Sequence, residues 1–263
     1  MARIPSLAHR TPWSWAWGGV LVGVLLATVV FAPARWLAGV VNQGTDGRLL
    51  LEDARGTVWD GSAVLSLTGG AGSLGAATLP SRLGWQLQPT WTGLQLQLTA
   101  PCCLTQAWAW QLQPKWGGAT LSLSDTPSVW PAQLLAGLGT PFNTLAFQGQ
   151  LALSSTGFSV AWLAGRMQVT GMFGLEAQSL SSRLSTLNPM GSYRLALEGG
   201  ATPSLKLDTL TGPLQLSGRG QWVGGKLQFN GEATSAAEHQ AALSNLLNII
   251  GRRDGVRSVI TLG

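Results

Sequence analysis

Trp85-Gln86-Leu87-Gln88-Pro89-Thr90-Trp91-Thr92-Gly93 returns 25 residues later as Trp110-Gln111-Leu112-Gln113-Pro114-Lys115-Trp116-Gly117-Gly118, and each copy leads into an alternating segment. Apolar and polar residues exchange places at every step, the period of a strand with one buried face. Each Pro closes its strand, where a missing N–H limits pairing to an edge or an end. Two copies are too few for a solenoid. A recurring β-hairpin within a long antiparallel meander accounts for them.

The same alternation spreads outward. Strands are expected at 63–67, 94–98, 147–153, 158–162, 167–170, 193–197, 204–207, 214–216, 226–229 and 256–262, joined by turns such as Gly199-Gly200 and Gly224-Gly225. Two helices interrupt them. Pro131 to Leu138 has Pro in its first turn and Gly139 after it. Later, Ser235-Ala236-Ala237-Glu238 matches a capping box, Leu243, Leu246, Leu247 and Ile250 keep helical spacing, and Gly251 suits a C-terminal cap. This last helix is expected to cover one end of the sheet. Arg252 and Arg253 suit the negative end of its dipole.

The start of the chain is of another kind. From Trp13 to Ala32 no residue ionises, and the run centres on Val20-Leu21-Val22-Gly23-Val24-Leu25-Leu26. A helix of roughly 20 residues spans a hydrocarbon core of about 30 Å. Arg3 and Arg10 precede the run and Arg35 follows it, which orients the N-terminus to the cytoplasm by a narrow margin. Trp13, Trp15, Trp17 and Trp36 fit aromatic belts. The expected organisation is a cytoplasmic tail over 1–12, a transmembrane helix over 13–34, and a β-rich domain over 35–263 across the membrane. A cleaved signal peptide competes, since Ala32-Pro33-Ala34 resembles a cleavage site. The apolar run exceeds the usual ~7–15-residue core of such a peptide, which favours an uncleaved anchor.

Composition narrows the function. Only 10% of residues are charged, while 35 are Gly and 13 are Trp, as in short strands joined by tight turns. The net charge of +5 sits at the ends: between residues 46 and 251, ten basic side chains face ten acidic ones. No basic stripe covers the domain, so nucleic acid is not an expected partner. Arg252, Arg253 and Arg257 cluster near the C-terminus, either to meet phosphates or as a charged turn after a helix. Cys102 and Cys103 are adjacent. In an oxidising compartment they allow a vicinal disulfide; otherwise they are two small residues on opposite faces of a strand.

No motif survives as a catalytic, cofactor or metal site. Gly70-Ala71-Gly72-Ser73-Leu74-Gly75 has dinucleotide-loop spacing, but Thr78-Leu79-Pro80 follows where a helix should open. Gly220 to Lys226 approaches a P-loop, yet Leu227 stands where Ser or Thr would bind magnesium. His9 and His239 are the two histidines, and no nucleophile elbow accompanies either. Glu52, Asp53 and Asp60 form the densest acidic group, read as solvated loop residues beside Arg48 and Arg55. The chain does not read as an enzyme and calls for no cofactor or small-molecule substrate.

One set of segments carries a likeness. Leu51-Glu52-Asp53-Ala54-Arg55-Gly56-Thr57-Val58-Trp59-Asp60-Gly61 comes soon after the anchor. Leu138-Gly139-Thr140-Pro141-Phe142-Asn143 leads into Gln148-Gly149-Gln150-Leu151. Leu184 to Tyr193, Leu207-Asp208-Thr209-Leu210-Thr211-Gly212-Pro213-Leu214 and Ile250-Gly251-Arg252-Arg253-Asp254-Gly255 complete the order. Together, over essentially the whole chain, they resemble the type II secretion system protein N family, and more distantly AsmA-like proteins. The resemblance implies a single-pass inner-membrane protein whose bulk is periplasmic. It would be a non-enzymatic accessory to the export of folded proteins across the outer membrane. Implied partners are the inner-membrane platform or the outer-membrane secretin, together with membrane lipids. The AsmA likeness implies an alternative, an envelope lipid-binding or lipid-transfer module. No family active site carries over. Where the apolar side chains point separates the two. Two apolar sheet faces without a second layer would favour a lipid groove, and one apolar face covered by helices and a second sheet would favour a scaffold.

Overall fold

The computed structural model describes residues 13–70, 75–223 and 226–263. The expected tail over 1–12, with Arg3, His9 and Arg10, lies outside them, as does most of the glycine-rich turn before Gly75.

The chain opens with helix α1 (Trp13–Val30) and, after Pro33, helix α2 (Ala34–Gly44). Pro33 lacks the N–H that would continue α1 and instead starts α2. The helix expected over 13–34 therefore ends at Val30, and a second helix starts at Ala34. α1 has 18 residues, a length of about 27 Å at a rise of about 1.5 Å. Among the described residues no helix is long and apolar enough to cross a membrane.

The strands that follow form a single sheet among the described residues. The first six are β1 (Leu49–Gly56), β2 (Asp60–Thr68), β3 (Ala76–Thr90), β4 (Gly93–Thr99), β5 (Trp108–Lys115) and β6 (Gly118–Leu123). β7 (Ser128–Pro131), a 3-10 helix (Ala132–Leu138) and α3 (Phe142–Leu145) come next. Then come β8 (Gln148–Leu163), β9 (Arg166–Ser181), β10 (Gly191–Gly200), β11 (Ser204–Thr211), β12 (Leu214–Val223) and β13 (Lys226–Ser235). α4 (Gln240–Ile250), β14 (Arg252–Asp254) and β15 (Arg257–Leu262) end the chain. All fifteen strands join one antiparallel sheet in nearly sequential order, with β7 beside β8 and the last two exchanged. The mainly-β meander with a short central helix and a C-terminal helix is thus observed.

Register sorts the side chains. Gln88, Gln95, Gln111 and Ser122 pair in a row across β3 to β6, and Gln86 pairs with Gln97. The opposite face carries Leu94, Leu112, Leu121, Val160 and Val169 in one row from β4 to β9. One face is polar and the other apolar.

The apolar face is covered unevenly. At one end of the strands the 3-10 helix places Leu134 against Leu79, Ala100, Leu104 and Trp108. α4 sets Leu243, Leu246 and Leu247 on Met190, Tyr193, Leu214 and Ala233. Burial raises the Tyr193 hydroxyl well above its ordinary pKa, and it donates to the Leu214 carbonyl (3.2 Å). Beside the first strands, α2 covers Ala63 and Trp85. Further along β12 and β13 the sheet covers itself. The Phe229 ring lies over Gly218, Gly220 and Gly231, where any Cβ would collide with it. The other end of the strands is formed by the tight turns after β3, β5 and β8, and among the described residues neither the 3-10 helix nor α4 packs there.

Three local readings differ. Ser235 stays in β13, paired with Leu214, so the expected capping box does not form, and the 3-10 turn Ala237–His239 has Ala236 at its N-cap with no side-chain cap. Gly251 is extended (φ −168°) and does not cap α4 in a left-handed turn. The chain therefore passes straight into β14, and Arg252 and Arg253 lie on a short edge strand where a turn was expected.

Candidate functional site

The residues with chemical potential are dispersed. Glu52 accepts from the Ser66 hydroxyl (2.8 Å). Asp53 occupies a bulge in β1 with φ 48°. It is bridged by Arg55 (2.7 Å) and Arg82 (2.8 Å), while Arg48, the other expected neighbour, is not part of this pair. Asp60 starts β2 beyond the turn. The three carboxylates form no acid–base pair.

Hydrogen bonds from Arg55 and Arg82 hold the Asp53 carboxyl below its ordinary value. A carboxylate with a lowered pKa adds stability above its unfolded value and loses it as pH falls through the folded one. Asp53→Asn, which tolerates the same backbone, should therefore be slightly less stable than the parent near neutrality. The difference should close below about pH 4, as read from denaturant melts at several pH values.

The described parts of the nucleotide-loop look-alikes adjoin or lie in β-strands. Strand β3 follows Gly75 directly, so no helix N-terminus faces an anion there; residues 71–74 lie outside the described ones. Gly220 to Lys226 spans the β12–β13 hairpin, whose residues 224–225 are likewise outside. His239 Nε2 lies 3.4 Å from its neighbour Glu238. Among the described residues no group of three or more His, Cys, Asp or Glu is placed to hold a metal ion.

The adjacent cysteines form a disulfide in the β4–β5 connection. Cys103 is buried against Leu79, Leu104 and Trp108. Its carbonyl accepts from Val129 N–H (2.9 Å), and Cys102 N–H donates to Ser81 Oγ (3.3 Å). Arg257 is tied to Asp254 (2.9 Å) and Glu232 (3.8 Å), leaving Arg252 and Arg253 as the outward cations of that cluster.

What remains is surface. The two sheet edges differ in kind. β14 is three residues long and reads Arg-Arg-Asp, short and charged in the manner of a blunted edge. β1 is eight residues long and pairs along one side with β2. Sequence reasoning missed β1, because Leu49-Leu50-Leu51-Glu52-Asp53-Ala54-Arg55-Gly56 does not alternate.

A family model described as type II secretion system, protein N, matches residues 47–259, from two residues before β1 into β15. The chain belongs to the type II secretion system protein N family. No curated protein and no solved structure matches it. The matched region contains the sheet as far as part of β15, and α1 and α2 lie before it.

Proposed function

We propose that this protein N family member is a non-enzymatic, membrane-anchored interaction component of type II secretion, with residues 35–263 in the periplasm. The observation that carries the reading is the contrast between the edges. Among the described residues β14 is a short, charged edge, whereas the eight-residue β1, ladder-paired only with β2 and packed by α2, is the longer edge on which a partner subunit can add a strand. The inner-membrane platform and the outer-membrane secretin are the partners this reading expects.

The anchor is α1. Val20, Leu21, Val22, Val24, Leu25, Leu26, Val29 and Val30 are each more than half exposed, on all sides of the helix. A helix apolar all round is a membrane or core element, and among the described residues none of α1 joins a buried cluster. A stretch a few Å short of the bilayer is met by local thinning at a modest cost. Alkaline carbonate should leave the chain in the membrane pellet, and protease added to spheroplasts should remove the domain. Release by carbonate would contradict the anchor.

An envelope lipid-binding module is the second reading, favoured by the row from Leu94 to Val169, which no second sheet covers among the described residues. The polar Gln face opposite it departs from a sheet apolar on both sides. Deleting the gene for the chain and assaying secreted proteins separates the roles. The secretion reading predicts that exported proteins accumulate in the periplasm, and unchanged export would contradict it.

A further inference from the structure

The second Trp of each repeat serves no purpose in folding. Trp91 and Trp116 sit at the tips of the β3–β4 and β5–β6 hairpins and are 106% and 104% exposed. Turns favour Gly, Asn, Asp and Pro, and a large apolar ring in open water at such a tip buries nothing. Its appearance at the same place in two hairpins asks for a ligand outside the fold.

The tips are neighbours. Two strand spacings separate them, about 10 Å. The β8–β9 turn adjoins the second, where Ala164 N–H donates to the Gly117 carbonyl (3.1 Å). Just behind these tips Trp162 and Met167, paired across β8 and β9, are each 44% exposed and Leu112 is 42% exposed. The charges at the three tips are cations, Lys115 and Arg166, both exposed.

The same rim receives the end of α1. Trp59 Nε1 donates to the Val29 carbonyl and Val58 N–H to the Ala32 carbonyl, each at 2.8 Å. Leu87 N–H donates to the Trp59 carbonyl (2.6 Å), and from that level β3 runs on to Trp91, four residues or about 13 Å at about 3.3 Å each. Exposed Trp with flanking Lys and Arg is the composition of a membrane–water interface, and the cations suit anionic headgroups.

We propose that this tight-turn rim rests on the bilayer that holds α1, with Trp91 and Trp116 seated among the headgroups as a second attachment. The inference builds on the anchor reading above. With the domain held at two places, the sheet takes a fixed orientation to the membrane, and its helix-covered end points away from it.

The test uses the full chain in vesicles of phosphatidylethanolamine and phosphatidylglycerol. The photo-crosslinking residue p-benzoylphenylalanine is placed, one site at a time, at Trp91, Trp116, Leu25 in α1, or Asn143 on the opposite rim. All four side chains are exposed, so folding is not at stake. The expected result is a several-fold excess of lipid adducts at 91 and 116 over 143, with adducts also at 25. Adducts at 25 but none in excess at 91 and 116 would overturn the rim contact and spare the anchor. Adducts at 91 and 116 but not at 25 would uphold the rim and overturn the anchor. Protein adducts in place of lipid at 91 and 116, obtained when the same variants are irradiated in native membranes, would assign the rim to a partner subunit and overturn the proposal.

Discussion

Trp85→Ala should cost the domain about 3–5 kcal/mol, the range for losing a buried aromatic side chain. Trp85 is 3% exposed and packs with Ala34 of α2 and Ala63 of β2, with Leu37, Leu51 and Leu98 around them. Its ring edge fills the space above Gly61, where a Cβ would come within 2.6 Å of it. Its Nε1 donates to the Val58 carbonyl (3.1 Å), and Val58 in turn binds the end of α1. The substitution therefore opens a cavity and releases the turn that joins helices to sheet. Trp85→Phe should fall between parent and Ala, since it keeps most of the apolar area but leaves the half-buried Val58 carbonyl without its donor, at about 1 kcal/mol. Urea unfolding of the detergent-solubilised chain, followed by far-UV circular dichroism, measures both. A loss for Trp85→Ala within about 0.5 kcal/mol, as at an indifferent surface position, would show that α2 is not packed as described.

Leu247→Ala should cost about 2–5 kcal/mol. Leu243, Leu246 and Leu247 are at most 1% exposed and seal the C-terminal core. The Leu247 carbonyl accepts from the buried Ser258 hydroxyl (2.5 Å), which ties α4 to β15. Gly251 links α4 directly to β14, so loosening the helix should also loosen the last two strands. Ile249→Ala provides the contrast. Ile249 is 40% exposed on the outer face of the same helix, and its loss should stay within about 0.5 kcal/mol. Equal effects at the two positions would mean that α4 does not cover the sheet.

The parts of this fold that were legible in the sequence are those where one physical rule acts alone. Strict alternation marked β3 to β6, and Pro131 with Gly139 marked the 3-10 helix. Elsewhere two rules compete. Pro80 argues against a strand, yet β3 runs through it, because residues 79–81 bulge opposite Leu65 and β4 pairs with β3 from Gly84 onward. Ser235 and Glu238 satisfy the pattern of a capping box, but ladder pairing with Leu214 holds Ser235 in a strand. The second half of β9 was missed because Gly171 and Gly174 break its apolar pattern.

The surfaces were less legible still. The repeat shows two Trp residues per copy at positions of equal parity, and no pattern says that Trp85 is buried while Trp91 stands in water. That difference comes from where each hairpin turns. The vicinal disulfide was open for the same reason, since adjacency fits both a bridge and a strand. The open edge at β1 depended on knowing which strand comes last in the sheet, a property of topology that spacing along the chain does not carry.

Affinity capture of the membrane-extracted chain from its native cell, with mass spectrometry of proteins and lipids together, tests the central claim most directly. The account predicts recovery of inner-membrane platform or secretin subunits, without lipid enriched over the bulk membrane. Stoichiometric phospholipid with no secretion subunit would contradict it and assign the apolar row from Leu94 to Val160 to acyl chains.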